Sequence, residues 1–358
     1  MSEEHASAKK SASSNRKVEA LPSKVGGYKP IQALNSGAMG NLWICRDPSL
    51  DRMVVAKRLH PHLNSNETFV KRFLQEGSIL AHLNHPNIVQ PYGLWKDSDG
   101  NLTMSIEYVN GSSLKELLAK NAQPPVWVVM TILYEILITL SHAHRNGVIH
   151  RDLKPANLMI DKDGRVRLLD FGIAHTDEPL KDGEELTETG CIMGTAAYMS
   201  PEQITGQKSN YSTDLFSLGV IASEMLIGEN LFRGSNFEET RENILKMKFT
   251  PEVFPKDVPM ELRTLVLRLL QKKSSKRPSS ACDVANEVSV MMSTFPRDMS
   301  PYIADWADAV KHDQPLDSLM EPAMPKSRFG FRMGFILGML FVGILVAVIS
   351  ASVMHSAM

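Results

Sequence analysis

Cysteine is scarce in this chain. The 358 residues hold three, Cys45, Cys191 and Cys282, far apart and without a C-x-x-C pair. That excludes a disulfide framework and a thiolate zinc site, and it suits a reducing compartment. An excess of one charge is missing too, with 39 Lys and Arg against 40 Asp and Glu. Such a balance leaves no electrostatic footprint for nucleic acid, which is not expected as a partner. No apolar stretch follows the charges near the N-terminus, so no secretory signal is legible.

Long apolar runs are also rare, and the two that occur read differently. Val126 to Leu140 is short, carries Glu135, and places Val129, Leu133, Ile136, Leu137 and Leu140 on one helical face. It predicts a core helix stopped by Gly147. Met333 to Met354, MGFILGMLFVGILVAVISASVM, has no charged residue. As a helix it would span roughly 33 Å, about the hydrocarbon thickness of a bilayer, and it predicts a transmembrane segment. Lys326, Arg328 and Arg332 precede it, and the positive-inside rule then puts the preceding domain in the cytoplasm. The expected location is the cell (inner) membrane, crossed once near the C-terminus with little chain beyond. Gly330, Gly334 and Gly338, and then Gly343, Ala347 and Ala351, recur at a spacing of four. Small residues so placed let helices approach closely, which predicts a homodimer through this segment or through the domain before it.

Residues 1–24 are rich in Ser, Ala and Lys and read as a disordered arm. Secondary-structure signals run from Tyr28 to about Thr294. Pro296, Pro301, Pro315, Pro322 and Pro325 then punctuate 295–332, which reads as a juxtamembrane linker with one short helix around Trp306.

Two constellations carry chemistry. In ALNSGAMGNLW (33–43) a glycine-containing turn with Gly37 and Gly40 separates apolar stretches, and MVVAK follows, a strand-like run ending in Lys57. Two strands joined by such a turn can lay backbone N–H groups over phosphates, and a lysine on the next strand can reach the same phosphates. Farther on, HRDLKPAN (150–157) stands shortly before DFG (170–172), with a hairpin predicted between Leu158 and Leu169 that turns at Asp163-Gly164. This gathers Asp152, Asn157 and Asp170 around one crevice. A carboxylate and an amide supply hard oxygen ligands for Mg²⁺, and a second carboxylate can receive a proton from a hydroxyl. His142 and His144, two residues apart, fall on different helical faces and do not make a metal pair.

With these motifs in order from about Tyr28 to Thr294, the chain resembles the eukaryotic-like (Hanks-type) serine/threonine protein kinases, the bacterial branch above all. The resemblance implies an α+β bilobal fold. Its N-lobe (28–109) would be an antiparallel sheet plus one helix, and its C-lobe (110–294) mainly helical. It implies ATP and Mg²⁺ (or Mn²⁺) as cofactors, and proteins bearing Ser/Thr hydroxyls as substrates. Lys57 would hold the α- and β-phosphates and pair with Glu76. Asp152 would orient the hydroxyl and take its proton, Lys154 would neutralise charge on the moving phosphoryl group, and Asn157 and Asp170 would ligate the metal. Leu34, Leu42, Ala56 and Met159 would sandwich the adenine, with backbone from Glu107 to Val109 at its edge and Ile106 as gatekeeper. Asn35, where the loop's first glycine would stand, is the one departure in the phosphate loop.

Lys154 and Thr195 point to the Ser/Thr branch. Glu202 and Arg277 would form an ion pair, Asp214 would hold the catalytic loop, and Leu80, His150 and Phe171 would stack as a spine whose remaining place falls at Pro91. Arg151 before the catalytic aspartate marks the class switched by activation-loop phosphate, with Thr187 and Thr189 as the expected autophosphorylation sites. A membrane-tethered pseudokinase scaffold is the rival reading.

Overall fold

The computed structural model describes residues 21–34, 39–97, 100–120, 122–171 and 195–322. Asn35, Gly37, Thr187, Thr189 and the 333–354 segment lie outside the described residues.

Five strands open the fold: β1 (Lys29–Ala33), β2 (Gly40–Asp47), β3 (Arg52–Leu59), β4 (Pro91–Lys96) and β5 (Leu102–Glu107). All pairings are antiparallel, in the spatial order β1-β2-β3-β5-β4. Strand alternation gives β3 two faces. Val54 and Ala56 pack with Val25, Trp43 and Cys45 on one side. Val55 and Leu59 pack with Phe73, Met104 and Ile106 on the other, beneath helix α1 (Glu67–His82). Asn66 caps α1 by accepting the Thr68 N–H at 3.0 Å. Val25, before the expected start of the domain, is fully buried.

The second lobe is helical. Its helices are α2 (Leu114–Leu118), α3 (Val126–Arg145), α4 (Pro201–Ile204), α5 (Tyr211–Ile227), α6 (Phe237–Lys246), α7 (Met260–Leu269), α8 (Ala281–Met291) and α9 (Ser300–Lys311). The apolar run expected as a core helix is α3, packed on α5 and α8 and ended at Asn146 with Gly147 in the left-handed region at φ 76°. Among the described residues α3 is the one helix long and apolar enough to cross a membrane, and 72% of that window is buried inside the protein. A small sheet, β6 (Gly111–Ser113), β7 (Leu158–Asp161) and β8 (Val166–Leu168), packs against α2, α3 and α9. Here β7 and β8 form the expected hairpin, with Gly164 at φ 78° in its turn.

One expectation changes. The stretch read as a linker folds onto the C-lobe as far as the described chain runs. Helix α9 buries Ile303, Trp306, Ala309 and Val310 against β7, α2 and α3. Trp306 is completely enclosed. Lys120 donates to both Asp313 oxygens, at 2.8 and 2.9 Å, and the Met320 N–H donates to Asp305 Oδ2 at 2.8 Å. Pro301 lies in the first turn of α9, where a missing N–H costs nothing. It starts the helix instead of breaking it.

Candidate active site

The crevice between the lobes is lined from both. On the upper side, register sets Lys57 opposite Leu42 and Met104, so the lysine points beneath the sheet toward α1. Lys57 Nζ donates to Glu76 Oε1 at 2.5 Å and lies 3.5 Å from Asp170 Oδ1. Burial works against the ammonium, but Asp170 and Glu76 more than offset it and hold Lys57 above the usual lysine range. Burial pushes the Glu76 carboxyl up, against the pull of Lys57. This lysine therefore remains a fixed positive charge in a water-poor place.

The adenine-pocket expectation needs one correction. Leu42, Val109 and Met159 do gather on the face of the sheet that carries Lys57, beside Ile106. Ala56 does not. It sits on the opposite face of β3, fully buried against Trp43 and Cys45. The period of two along a strand places Val55, not Ala56, on the side of Lys57. Leu34, more than a third exposed, follows β1, and its N–H donates to Leu42 O at 2.8 Å. Gly40 has a structural cause within reach: a Cβ there would meet the Arg58 carbonyl oxygen at 2.1 Å, so β2 and β3 could not close.

The lower side is the segment from His150 to Phe171. Asp214, wholly buried at the start of α5, accepts the N–H groups of His150 and Arg151, each at 2.9 Å, and contacts His144 Nε2 at 2.7 Å. His144 is thus a support of the loop, while His142 lies against His85 with ring centroids 5.2 Å apart. Arg151 has φ 66° and Asp170 φ 22°, unusual backbone for residues with side chains, held by the surrounding hydrogen bonds. Gln203, which the sequence pattern did not single out, donates from Nε2 to Arg151 O at 2.7 Å and ties α4 to the same loop. Its signal was local: Gln203 also closes a capping box with Ser200 at the start of α4.

The His150 ring fixes its own protonation state. Nε2 lies 3.2 Å from Leu169 O, and Nδ1 accepts the Asp152 N–H at 3.3 Å, so the neutral tautomer satisfies both partners. Burial lowers the pKa of this imidazole despite Asp214 and Asp152 nearby. The ring packs on Phe171 at 4.8 Å, and Leu80 is buried in the same core. Pro91, where the remaining spine place was expected, begins β4 opposite Ile106, with a register shift before Gly93.

Four polar side chains converge at the mouth. Lys154 Nζ donates to Asp152 Oδ1 and Oδ2 at 2.9 and 2.7 Å and to Thr195 Oγ1 at 3.3 Å. Asn157 Nδ2 donates to Asp152 O at 2.7 Å and to Asp152 Oδ2 at 3.0 Å. With its amide nitrogen so committed, the Asn157 side-chain oxygen is left as an acceptor. One amide oxygen and the Asp170 carboxylate suit a hard cation that completes its shell with phosphate and water. Among the described residues no three His, Cys, Asp or Glu side chains cluster as a metal cage. Below the site, Arg277 Nη1 and Nη2 donate to the two oxygens of Glu202 at 2.6 and 2.8 Å, a bidentate buried pair.

Comparison with known proteins agrees with this geometry. A family model described as the protein kinase domain matches residues 28–289. The serine/threonine-protein kinase pkn3 of Myxococcus xanthus is 34% identical over 71% of this chain and 48% of its own length. PknB of Mycobacterium leprae is 32% identical over 78% of this chain and 45% of its own. The chain thus spans less than half the length of these curated relatives. Among solved structures, the PknI kinase domain of Mycobacterium tuberculosis superposes with a TM-score of 0.58 and 25% identity, covering 75% of this chain and 99% of that domain. The matched span, the bilobal architecture and the crevice lined by Lys57, Asp152, Asn157 and Asp170 agree, and the chain belongs to the protein kinase family.

Proposed function

We propose that this protein transfers the γ-phosphoryl group of ATP to serine and threonine hydroxyls of other proteins. One observation carries the reading: Lys57 is joined to Glu76 and close to Asp170 while Asp152, Lys154, Asn157 and Thr195 form a single hydrogen-bonded cluster across the crevice. Lys57 supplies a fixed charge for the α- and β-phosphates. Asp152 would orient the acceptor hydroxyl and receive its proton. Lys154, 2.7 Å away, offsets the negative charge that builds on the transferring group. Mg²⁺ held by Asn157 and Asp170 would neutralise the phosphate oxygens. Leu42, Val55, Val109 and Met159 offer the apolar slot for the base, with backbone at Glu107 to Val109 along its edge.

The contact between Thr195 and Lys154 supports a Ser/Thr acceptor, because it places a small hydroxyl residue beside the catalytic pair. The reading extends to switching by autophosphorylation at Thr187 and Thr189, with Arg151 answering the added charge. It extends also to a single-pass anchor at 333–354 in the cell membrane with the catalytic domain cytoplasmic, and to a homodimer that raises the rate of phosphorylation in trans. The uncharged apolar run, the basic residues before it and the small residues at spacing four support those last two points.

The test uses the full chain with labelled ATP, Mg²⁺ and a generic protein acceptor, beside Asp152→Asn. Label on the acceptor and on Thr187 or Thr189, absent from the variant, is expected. No label above the variant, with nucleotide still bound, would overturn the proposal in favour of a pseudokinase scaffold. Protease protection in membrane vesicles checks the anchor: digestion of the kinase domain only on the cytoplasmic side is expected.

A further inference from the structure

Glu107 ends β5, and the sequence assigns only its backbone a task. Its side chain enters a polar junction that the motifs do not contain. Arg167 Nη2 on β8 donates to Glu107 Oε2 at 2.5 Å, with the two side chains 11% and 25% exposed. The same carboxylate oxygen accepts the Gln90 N–H at 3.4 Å, and the Glu107 N–H donates to Gln90 O at 2.9 Å. Gln90 Nε2 in turn donates to Leu83 O, the C-cap of α1, at 3.0 Å, and to Ile88 O at 3.1 Å. Next to Arg167, the Leu168 N–H donates to Asn87 O at 2.6 Å and the Val89 N–H to Leu168 O at 3.2 Å. One cluster therefore joins three bodies: the helix that carries Glu76, the start of the segment expected at the adenine edge, and the strand that leads to Asp170.

We propose that Arg167 is a positioning residue for nucleotide binding, acting through the Glu107 carboxylate. This rests on the nucleotide reading of the crevice given above. A half-buried guanidinium–carboxylate bond is short, directional and stronger than a neutral one. The backbone of Glu107 to Val109 follows that carboxylate, and an adenine edge tolerates only small misplacement of the groups that meet it. Arg167 sits opposite Met159 on the paired strand, so the same bond sets the height of one apolar wall against the hinge. The phosphate end is served by other residues, Lys57 and Asp170, which Arg167 does not touch. Loss of the pair should therefore weaken recognition of the base and leave the chemical step nearly intact.

The experiment compares full-length wild type with Arg167→Met, Arg167→Lys and Glu107→Gln. For Arg167→Met the KM for ATP should rise about fivefold to tenfold while kcat stays within about twofold. The Kd of a fluorescent ADP analogue should rise in parallel, and Arg167→Lys should recover most of the loss. Inorganic tripolyphosphate, which lacks the base, should compete equally well in wild type and variant. Unchanged KM and Kd in a folded variant would overturn the proposal. So would a fall in kcat and melting temperature with KM unchanged, the signature of a purely structural pair. Should wild type bind the ADP analogue yet transfer no phosphate, the proposed activity fails and the Kd series still decides the role of Arg167. Wild type that binds no nucleotide would overturn both.

Discussion

Gly164→Ala is the sharpest probe of how the C-terminal segment is attached. At φ 78° this residue occupies the left-handed region, where alanine costs about 1 kcal/mol or more. Sterics add to that. An alanine Cβ would lie 1.9 Å from Ser300 O and 2.6 Å from Ala304 N, both backbone atoms of α9 that cannot rotate away. Relieving that overlap requires the hairpin and α9 to part by about 1.5 Å. A gap near 1 Å already forfeits a quarter to a half of the dispersion well for every atom pair so separated. Met299, Ile303, Trp306 and Val310 are all nearly or fully buried, each worth about 1.5–3 kcal/mol when enclosed. Losing a quarter of that sum removes about 2 kcal/mol, and with the conformational cost the total is about 3 kcal/mol. Thermal unfolding followed by tryptophan fluorescence should show a drop of about 6–12 °C. Trp306 emission should shift red before global unfolding, and limited proteolysis should cut near Lys311 first. A melting temperature within 1 °C of wild type, with Trp306 still protected, would refute the docking of α9 on the β7–β8 turn.

Arg277→Met should destabilise the protein by about 3–5 kcal/mol in urea titration, because it strands the buried Glu202 carboxylate without its cation, left with the Thr213 hydroxyl and a backbone N–H. Burial alone would raise the Glu202 pKa, but the Arg277 guanidinium outweighs it and holds the carboxyl below its ordinary 4.5. The pair's contribution is therefore complete above that ordinary value and is lost as pH falls through the lowered one, so Glu202→Gln should flatten the acid limb of a stability–pH curve. Lys57→Met should cut phosphoryl transfer at least a hundredfold without unfolding the domain, since burial already raises the Glu76 carboxyl and a proton can replace the lost lysine; circular dichroism and initial rates measured on one preparation check both halves.

The parts of the site that the sequence made legible are those whose chemistry is contiguous. Asp152, Lys154 and Asn157 lie within six residues, and the hairpin to Asp170 is short, so local turn chemistry suffices to bring them together. Lys57 with Glu76 and Glu202 with Arg277 are distant pairs, and only the family resemblance supplied them; the structure then showed the two pairs at 2.5 and 2.6 Å. Ala56 failed for a simple physical reason. Adjacent residues on a strand face opposite ways, so a lysine that points into the crevice commits its immediate neighbour to the other face. The same parity rule was available in the sequence, and applied from Lys57 it selects Val55.

Residues 295–322 were legible in part: the short helix expected around Trp306 is Ser300–Lys311, but its docking on the C-lobe was not foreseen. Proline spacing marks where helices cannot continue, yet it leaves Ser300–Lys311 free to begin one at Pro301. Ile303, Trp306 and Val310 recur at three and four, a stripe narrow enough to need a partner surface. What completes that surface is the glycine of the β7–β8 turn, more than 130 residues earlier, whose missing side chain lets the first turn of α9 approach. The hairpin that positions Asn157 and Asp170 is therefore braced from behind by the segment just before residue 323.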